Sequence, residues 1–194
     1  MFNHTLTLLG SRLTRVKRNL KAFSGKKKLK LGRMIQLVSW SIWQNSIFKT
    51  SFFGSRMRVT SLRLWGSSIG TGVQIRRGVK VHFPWNLHIG DNCWIGEEVW
   101  IINHEKVQIG NNVCISQRAI ISSGSHDYKS LSLEFNHKPI LIEDGAWICL
   151  DAKVLAGVTI GDCSVVSAGE VARKFLPDYS MLLNGEIRPI EPPI

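Results

Sequence analysis

From residue 69 onward the chain places an aliphatic residue at every sixth position. Ile69, Ile75, Val81 and Leu87 form the first series, Ile89, Ile95, Ile101 and Val107 the second, and Ile109, Ile115 and Ile121 the third. After a break the pattern resumes at Ile142, Ile148, Val154, Ile160 and Val166. The first three series begin at 69, 89 and 109, so one unit takes 20 residues. Segments such as IGDNCW, IGNNVC and IGDCSV put Gly directly after the aliphatic residue and Asn or Asp next. Gly permits close backbone approach at a corner, and Asn and Asp favour turns. Three six-residue sides close a triangular coil, and stacked coils bury a continuous aliphatic column. A sandwich would instead alternate at period two with irregular spacing. The expected fold is therefore all-β, a parallel β-helix over residues 65–172.

The third series stops after Ile121. Its next aliphatic position would be residue 127, and the match appears only at Ile140. Thirteen residues, 127–139, are therefore inserted, and His126 stands at the departure point. A loop leaving a rigid scaffold is a common place for function, although insertions also collect at solenoid corners for no functional reason. A lone histidine is more often structural than catalytic. His126, however, lies at a coil edge rather than on the aliphatic column, and it opens the long loop. Neutral imidazole can accept a hydroxyl proton near pH 7. Asp127 or Glu134 could fix its tautomer.

Before the repeat the pattern changes. Residues 34–53 read as a helix with Ile35, Val38, Ile42 and Ile47 among its apolar positions. That helix would pack on the domain or lie on a membrane surface, since Gln36, Ser39, Ser41, Gln44 and Asn45 interrupt the apolar stretch of residues 34–48 and make it a poor membrane span. Gly54 to Leu64 reads as a basic linker or a first strand, so residues 34–64 form a helix and linker. Residues 1–33, with SGKKKLKLGR, have little to bury and read as a flexible basic arm. Residues 173–194 form a C-terminal tail.

Charge sharpens this division. The chain of 194 residues carries a net charge of +11, yet no Asp or Glu precedes Asp91. Residues 1–90 hold 17 Lys and Arg, and the remainder nets −6. A basic half suits an acidic membrane surface or an anionic ligand, or is simply solvated. No aromatic-plus-basic nucleic-acid motif is present, so nucleic acid is not an expected partner. Cys93, Cys114, Cys149 and Cys163 lack CxxC and zinc-finger spacing and fit a reducing compartment. With no signal peptide in view, the expected location is cytoplasmic, at most against the inner face of the membrane.

The phrases PWNLHIGDNCWIGEEVWI, VCISQRAIISSGSHDY, KPILIEDGAWI and GVTIGD together resemble the hexapeptide-repeat acetyltransferases, within them the colanic-acid-type and galactoside-type sugar O-acetyltransferases. The resemblance spans about residues 34–190. It implies a left-handed β-helix, a homotrimer with sites between subunits, and direct acetyl transfer from acetyl-CoA to a sugar or glycan hydroxyl, as in surface polysaccharide or glycolipid synthesis. It implies that His126 is the general base. Asn103 falls near a family position that contacts the acceptor, or is a corner Asn. Trp147 resembles the aromatic at the acetyl and pantetheine end, or is a core Trp. Ala168 and Gly169 would receive the pantetheine arm, and Arg173 and Lys174 the phosphates, unless they are a solvated pair.

Two departures lie along the implied cofactor groove. Cys149 and Leu150 follow Trp147-Ile148 where the family usually has Gly, and NGEIRPI replaces its usual closing phrase. They leave the acyl group open and admit a non-catalytic or altered scaffold held at a membrane by the basic arm. A metal-dependent hydrolyase on the same fold would need about three converging histidines. His82, His88, His104, His126 and His137 lack the paired spacing, so no metal is expected.

Overall fold

The computed structural model of the chain describes residues 17–25 and 30–192. Residues 1–16 and 26–29 of the expected basic arm lie outside the described residues. The aliphatic repeat forms a triangular β-helix whose three faces are parallel sheets. One face stacks Ser68–Ile69, Leu87–Ile89, Val107–Ile109, Ile140–Ile142 and Thr159–Ile160. The second stacks Gln74–Ile75, Trp94–Ile95, Cys114–Ile115, Trp147–Ile148 and Val165–Val166. The third stacks Lys80–Val81, Trp100–Ile102, Ile120–Ser122, Lys153–Leu155 and Val171–Ala172. The segment read as a tail adds Ser180–Leu183 in parallel to the second face, and Glu186–Pro189 folds back antiparallel on it.

Register follows from the 20-residue unit: Ile69 pairs with Ile89, and Ile89 with Ile109. The insertion leaves it intact, because Ile142 pairs with Ile109 as if no residues intervened. Most six-residue sides bury two residues, the aliphatic one and the fourth after it. Ile95 with Val99, Ile115 with Ala119 and Ile148 with Ala152 are each at most 1% exposed. Each fully buried isoleucine contributes about 1.5–3 kcal/mol of hydrophobic stabilisation.

The corner after the first face explains the Ile-Gly-Asx phrase. The Asx carboxylate or amide oxygen accepts a backbone N–H from the coil before it: Thr71 N donates to Asp91 at 2.6 Å, Asp91 N to Asn111 at 2.8 Å, and Asn111 N to Asp144 at 2.7 Å. A Cβ on Gly90 would lie 2.5 Å from Asn111 Oδ1 and 2.7 Å from the Gly110 backbone. Coils stack this closely only because Gly has no side chain there.

Two helices cap the first coil. α1 (Leu31–Trp43) runs into a π-helical turn, Gln44–Phe48, and α2 covers Ser55–Leu64. This corrects the expected linker or strand at 54–64. RMRVTSLRL alternates like a strand, but tertiary packing selects the helix, with Val59 and Leu62 on one buried face. Arg58 is 4% exposed and donates to the carbonyls of Phe48, Thr50 and Ile75. α1 packs through Trp40, whose Nε1 donates to Val81 O at 2.7 Å, and through Trp43, stacked on Trp65. Residues 17–25, read as part of a flexible arm, lie instead against the inserted loop: Asn19 N donates to Leu131 O at 2.9 Å.

Gly90→Ala should therefore lower stability by about 1–3 kcal/mol through overpacking. Gly32→Ala, in α1 with nothing within 4 Å, should raise it by up to about 1 kcal/mol. Urea unfolding of both variants checks the opposite signs.

Candidate active site

The third-face strand Ile120–Ser122 ends at Ser122, and the chain leaves the coil through Ser123, Gly124 and Ser125. The insertion is not slack. Lys138 N donates to Ser123 O at 3.1 Å, Asn136 N to Ser125 O at 2.9 Å, and Asp127 N to Glu134 O at 2.8 Å. His126 bridges antiparallel to Phe135 within this short ladder. At the tip Asp127 Oδ1 accepts from Lys129 N at 2.9 Å, a local turn.

The ladder fixes the His126 imidazole. Its Nδ1 lies 2.6 Å from Leu133 O. A carbonyl only accepts, so Nδ1 carries a proton, and in the neutral ring the lone pair is then on Nε2. Leu133 has φ 55°, a left-handed conformation unusual for leucine. The ring is exposed on its outer side and packs beside Phe135 at 5.1 Å and Phe23 at 5.9 Å.

Neither carboxylate expected to orient His126 does so. Asp127 is engaged by Lys129 N. Glu134 accepts from Ser24 N and Ser24 Oγ, both at 3.2 Å, and from Ser132 Oγ at 2.8 Å, which holds its carboxyl below the usual range. Glu134 thus ties residues 17–25 to the loop. Asn103 is also corrected as an acceptor contact. It is fully buried, its Oδ1 accepts from Phe83 N at 2.9 Å, and its Nδ2 donates to Phe83 O at 2.6 Å. Its amide clamps adjacent coils and presents nothing to a cleft.

The cleft beside His126 is lined by residues that spacing did not single out. It has a volume of about 460 Å³, and its walls include Phe83, Trp85, Asn86, His104, Phe135 and His137. These come from the third-face corner of successive coils and from the loop, so a 20-residue register of HFPWN against INHEK would have flagged them. His104 stacks on His137 at 4.5 Å and meets His82 edge-on at 4.8 Å. His137 Nδ1 accepts from Ser125 N at 3.0 Å. Burial, followed by the neighbouring His82, His137 and His126, pushes His104 down to about 4. Among the described residues no group of three or more His, Cys, Asp or Glu is placed to hold a metal ion.

The remaining candidates fall on later coils, and no hydrogen bond or ring contact joins them to His126 among the described residues. Trp147 stands on the outer side of the second face, 48% exposed, its Nε1 donating to Ser116 Oγ at 2.9 Å. The core reading of this Trp is therefore excluded. Ala168 and Gly169 form an exposed corner, with Gly169 at φ 74° and open space beside it. Arg173 and Lys174 are exposed at the rim of a cavity of about 370 Å³ walled by Val171, Leu176 and Ile187. Two cations above an apolar wall suit a ligand that joins phosphate to an uncharged arm. Cys149 is half-buried and Leu150 exposed beside this region.

No family model matches the chain. Individual proteins do. It is 38% identical over 160 residues to WcaF of Escherichia coli (strain K12), described as a colanic acid biosynthesis acetyltransferase, covering 82% of this chain and 88% of that one. The chain belongs to the hexapeptide-repeat acetyltransferase family. Among solved structures, the Vibrio cholerae hexapeptide-repeat acetyltransferase VCA0836 complexed with acetyl coenzyme A aligns at TM-score 0.74 and 24% identity, covering 87% of this chain and 93% of that one. A galactoside acetyltransferase in complex with coenzyme A aligns at TM-score 0.72 and 21% identity, covering 89% and 88%. The fold is the left-handed parallel β-helix of this family.

The depressed His104 gives a pH test. The unfolded chain protonates this imidazole below about 6.5, whereas the folded chain resists until about 4. Its contribution to stability is therefore fully present above 6.5 and lost progressively as pH falls toward 4. Urea midpoints should drop across that window, and His104→Gln should flatten the drop.

Proposed function

We propose that this protein transfers an acetyl group from acetyl-CoA to a sugar hydroxyl, with His126 as general base and no covalent acyl-enzyme. The observation that carries the reading is the 2.6 Å contact between His126 Nδ1 and Leu133 O, which selects the neutral tautomer whose lone pair lies on Nε2. Nε2 would take the acceptor hydroxyl proton as its oxygen attacks the thioester carbonyl. A C–O bond forms, the C–S bond breaks, and His126 returns the proton to the departing sulfur. The aromatic and polar cleft beside His126 supports a sugar acceptor, whose apolar ring face and hydroxyls match Trp85, Phe83 and Asn86. Arg173 and Lys174 support phosphate binding by the coenzyme, with Ala168 and Gly169 meeting the pantetheine amides and Trp147 the acetyl end. Similarity to a colanic acid biosynthesis acetyltransferase supports a surface-polysaccharide or glycolipid precursor as acceptor. Four free cysteines support a reducing, cytoplasmic setting.

His126→Ala should lower kcat/KM by roughly 100- to 10,000-fold with little change in unfolding midpoint. Release of free CoA from acetyl-CoA in the presence of a galactoside-type acceptor measures it. Transfer surviving within a few-fold would remove His126 from this role.

We also propose a homotrimer with the sites between subunits. Trp94 and Trp100 stand 45% and 43% exposed on adjacent outer faces of one coil, and exposed large aromatics are enriched at association surfaces. Sedimentation velocity at assay concentration should give a trimer, and a monomer would refute it.

A further inference from the structure

α1 is apolar on two opposite sides. Trp40 and Trp43 lie toward the solenoid, and that side is occupied by the contacts described above. The other side carries Leu31, Met34, Ile35, Val38 and Ile42, which are 68%, 49%, 61%, 54% and 65% exposed. At 100° per residue these five fall in a stripe about 100° wide. Phe52, in the turn after the helix, is 89% exposed. A stripe of this kind on a helix already anchored by its other face has no internal packing to explain it.

We propose that this stripe is a docking face for an anionic lipid surface. Three observations favour that occupant. Residues 30–64 hold six Lys and Arg and no Asp or Glu. Three of these cations, the exposed Lys30 and Arg56 and the half-buried Lys49, make no ion pair with a described residue. Among the described residues no helix is long and apolar enough to cross a membrane, and α1, with 13 residues, is about 20 Å long. An interfacial helix lies flat, with its apolar face in the headgroup boundary and cations beside it. A second copy offering the same face would oppose like charges. The inference does not depend on the acyl-transfer reading, because it concerns a different face and a binding event.

The test is co-sedimentation of the full chain with phosphatidylcholine vesicles, with and without phosphatidylglycerol. The wild type should bind the phosphatidylglycerol vesicles at least about tenfold more strongly and keep part of that binding in high salt. Ile35→Ser/Val38→Ser/Ile42→Ser should weaken it by about tenfold or more, with unchanged circular dichroism and oligomeric state. Val38→Trp should strengthen it several-fold, which keeps the proposal open to refutation if the triple variant fails to fold. No vesicle binding by the wild type would overturn the proposal. So would a triple variant that binds as well as wild type, since charge elsewhere would then suffice. A triple variant that falls to a smaller oligomer would assign the stripe to contacts between copies instead.

Discussion

The whole molecule depends on how closely one coil can lie on the next. At the corner after the first face, Gly70 N, Gly90 N and Gly110 N each donate to the isoleucine carbonyl of the following coil at 2.8 Å. That approach leaves no room for a Cβ, and the Asx side chain of the following coil fills the space while accepting the next N–H. The same six residues therefore set the coil spacing, satisfy the corner backbone and align the buried isoleucines. Turn, ladder and core are one constraint repeated.

A scaffold this regular can carry an insertion without losing register, and His126 exploits that. Ile109 and Ile142 pair directly, so the loop between them transmits no shift to the core. The loop in turn is zipped at its base, and it brings the Leu133 carbonyl back over the histidine that opened it. Leu133 reaches that position only in a left-handed conformation. Such backbone costs of order 1–3 kcal/mol and persists where surrounding contacts over-determine it, here the ladder, Ser130 and the Glu134 anchor. The strain accompanies a defined tautomer.

Spacing alone revealed the coils, the 20-residue unit and the residue at which the loop departs, because burial imposes those positions on the side chains directly. It missed α2, because Met57 and Val59 alternate with arginines as in a strand. Only the carbonyls of Phe48, Thr50 and Ile75, distant in sequence, explain where Arg58 goes. It favoured carboxylates beside His126, whereas a main-chain oxygen does the work, and main-chain partners leave no mark on residue identity. Asn103 misled for a related reason. An amide at a corner looks the same in sequence whether it faces a cleft or clamps Phe83. The histidine cleft was legible in principle, since its residues share one corner across coils, but two of them needed the loop folded back.

The uneven charge has two separate origins. In the C-terminal half Asp91, Asp144, Asp162 and Asp178 are corner residues whose oxygens accept backbone N–H groups, so the acidic balance follows from the solenoid's own turns. In the N-terminal half several cations are equally committed. Arg58 serves three carbonyls, Arg63 donates to Ile69 O and Gly70 O, and Arg76 and Arg77 pair with Glu97. Held by neutral carbonyls, Arg58 and Arg63 keep their charge and add to the positive field of the helical cap, but they are anchored and cannot reach out to a partner. Free charge acts over about 8 Å at physiological salt, so it can bring the cap to an oppositely charged surface but holds it there weakly. The apolar stripe of α1 supplies the short-range term that charge lacks, and the two coincide on one helix whose other face is fixed to the first coil.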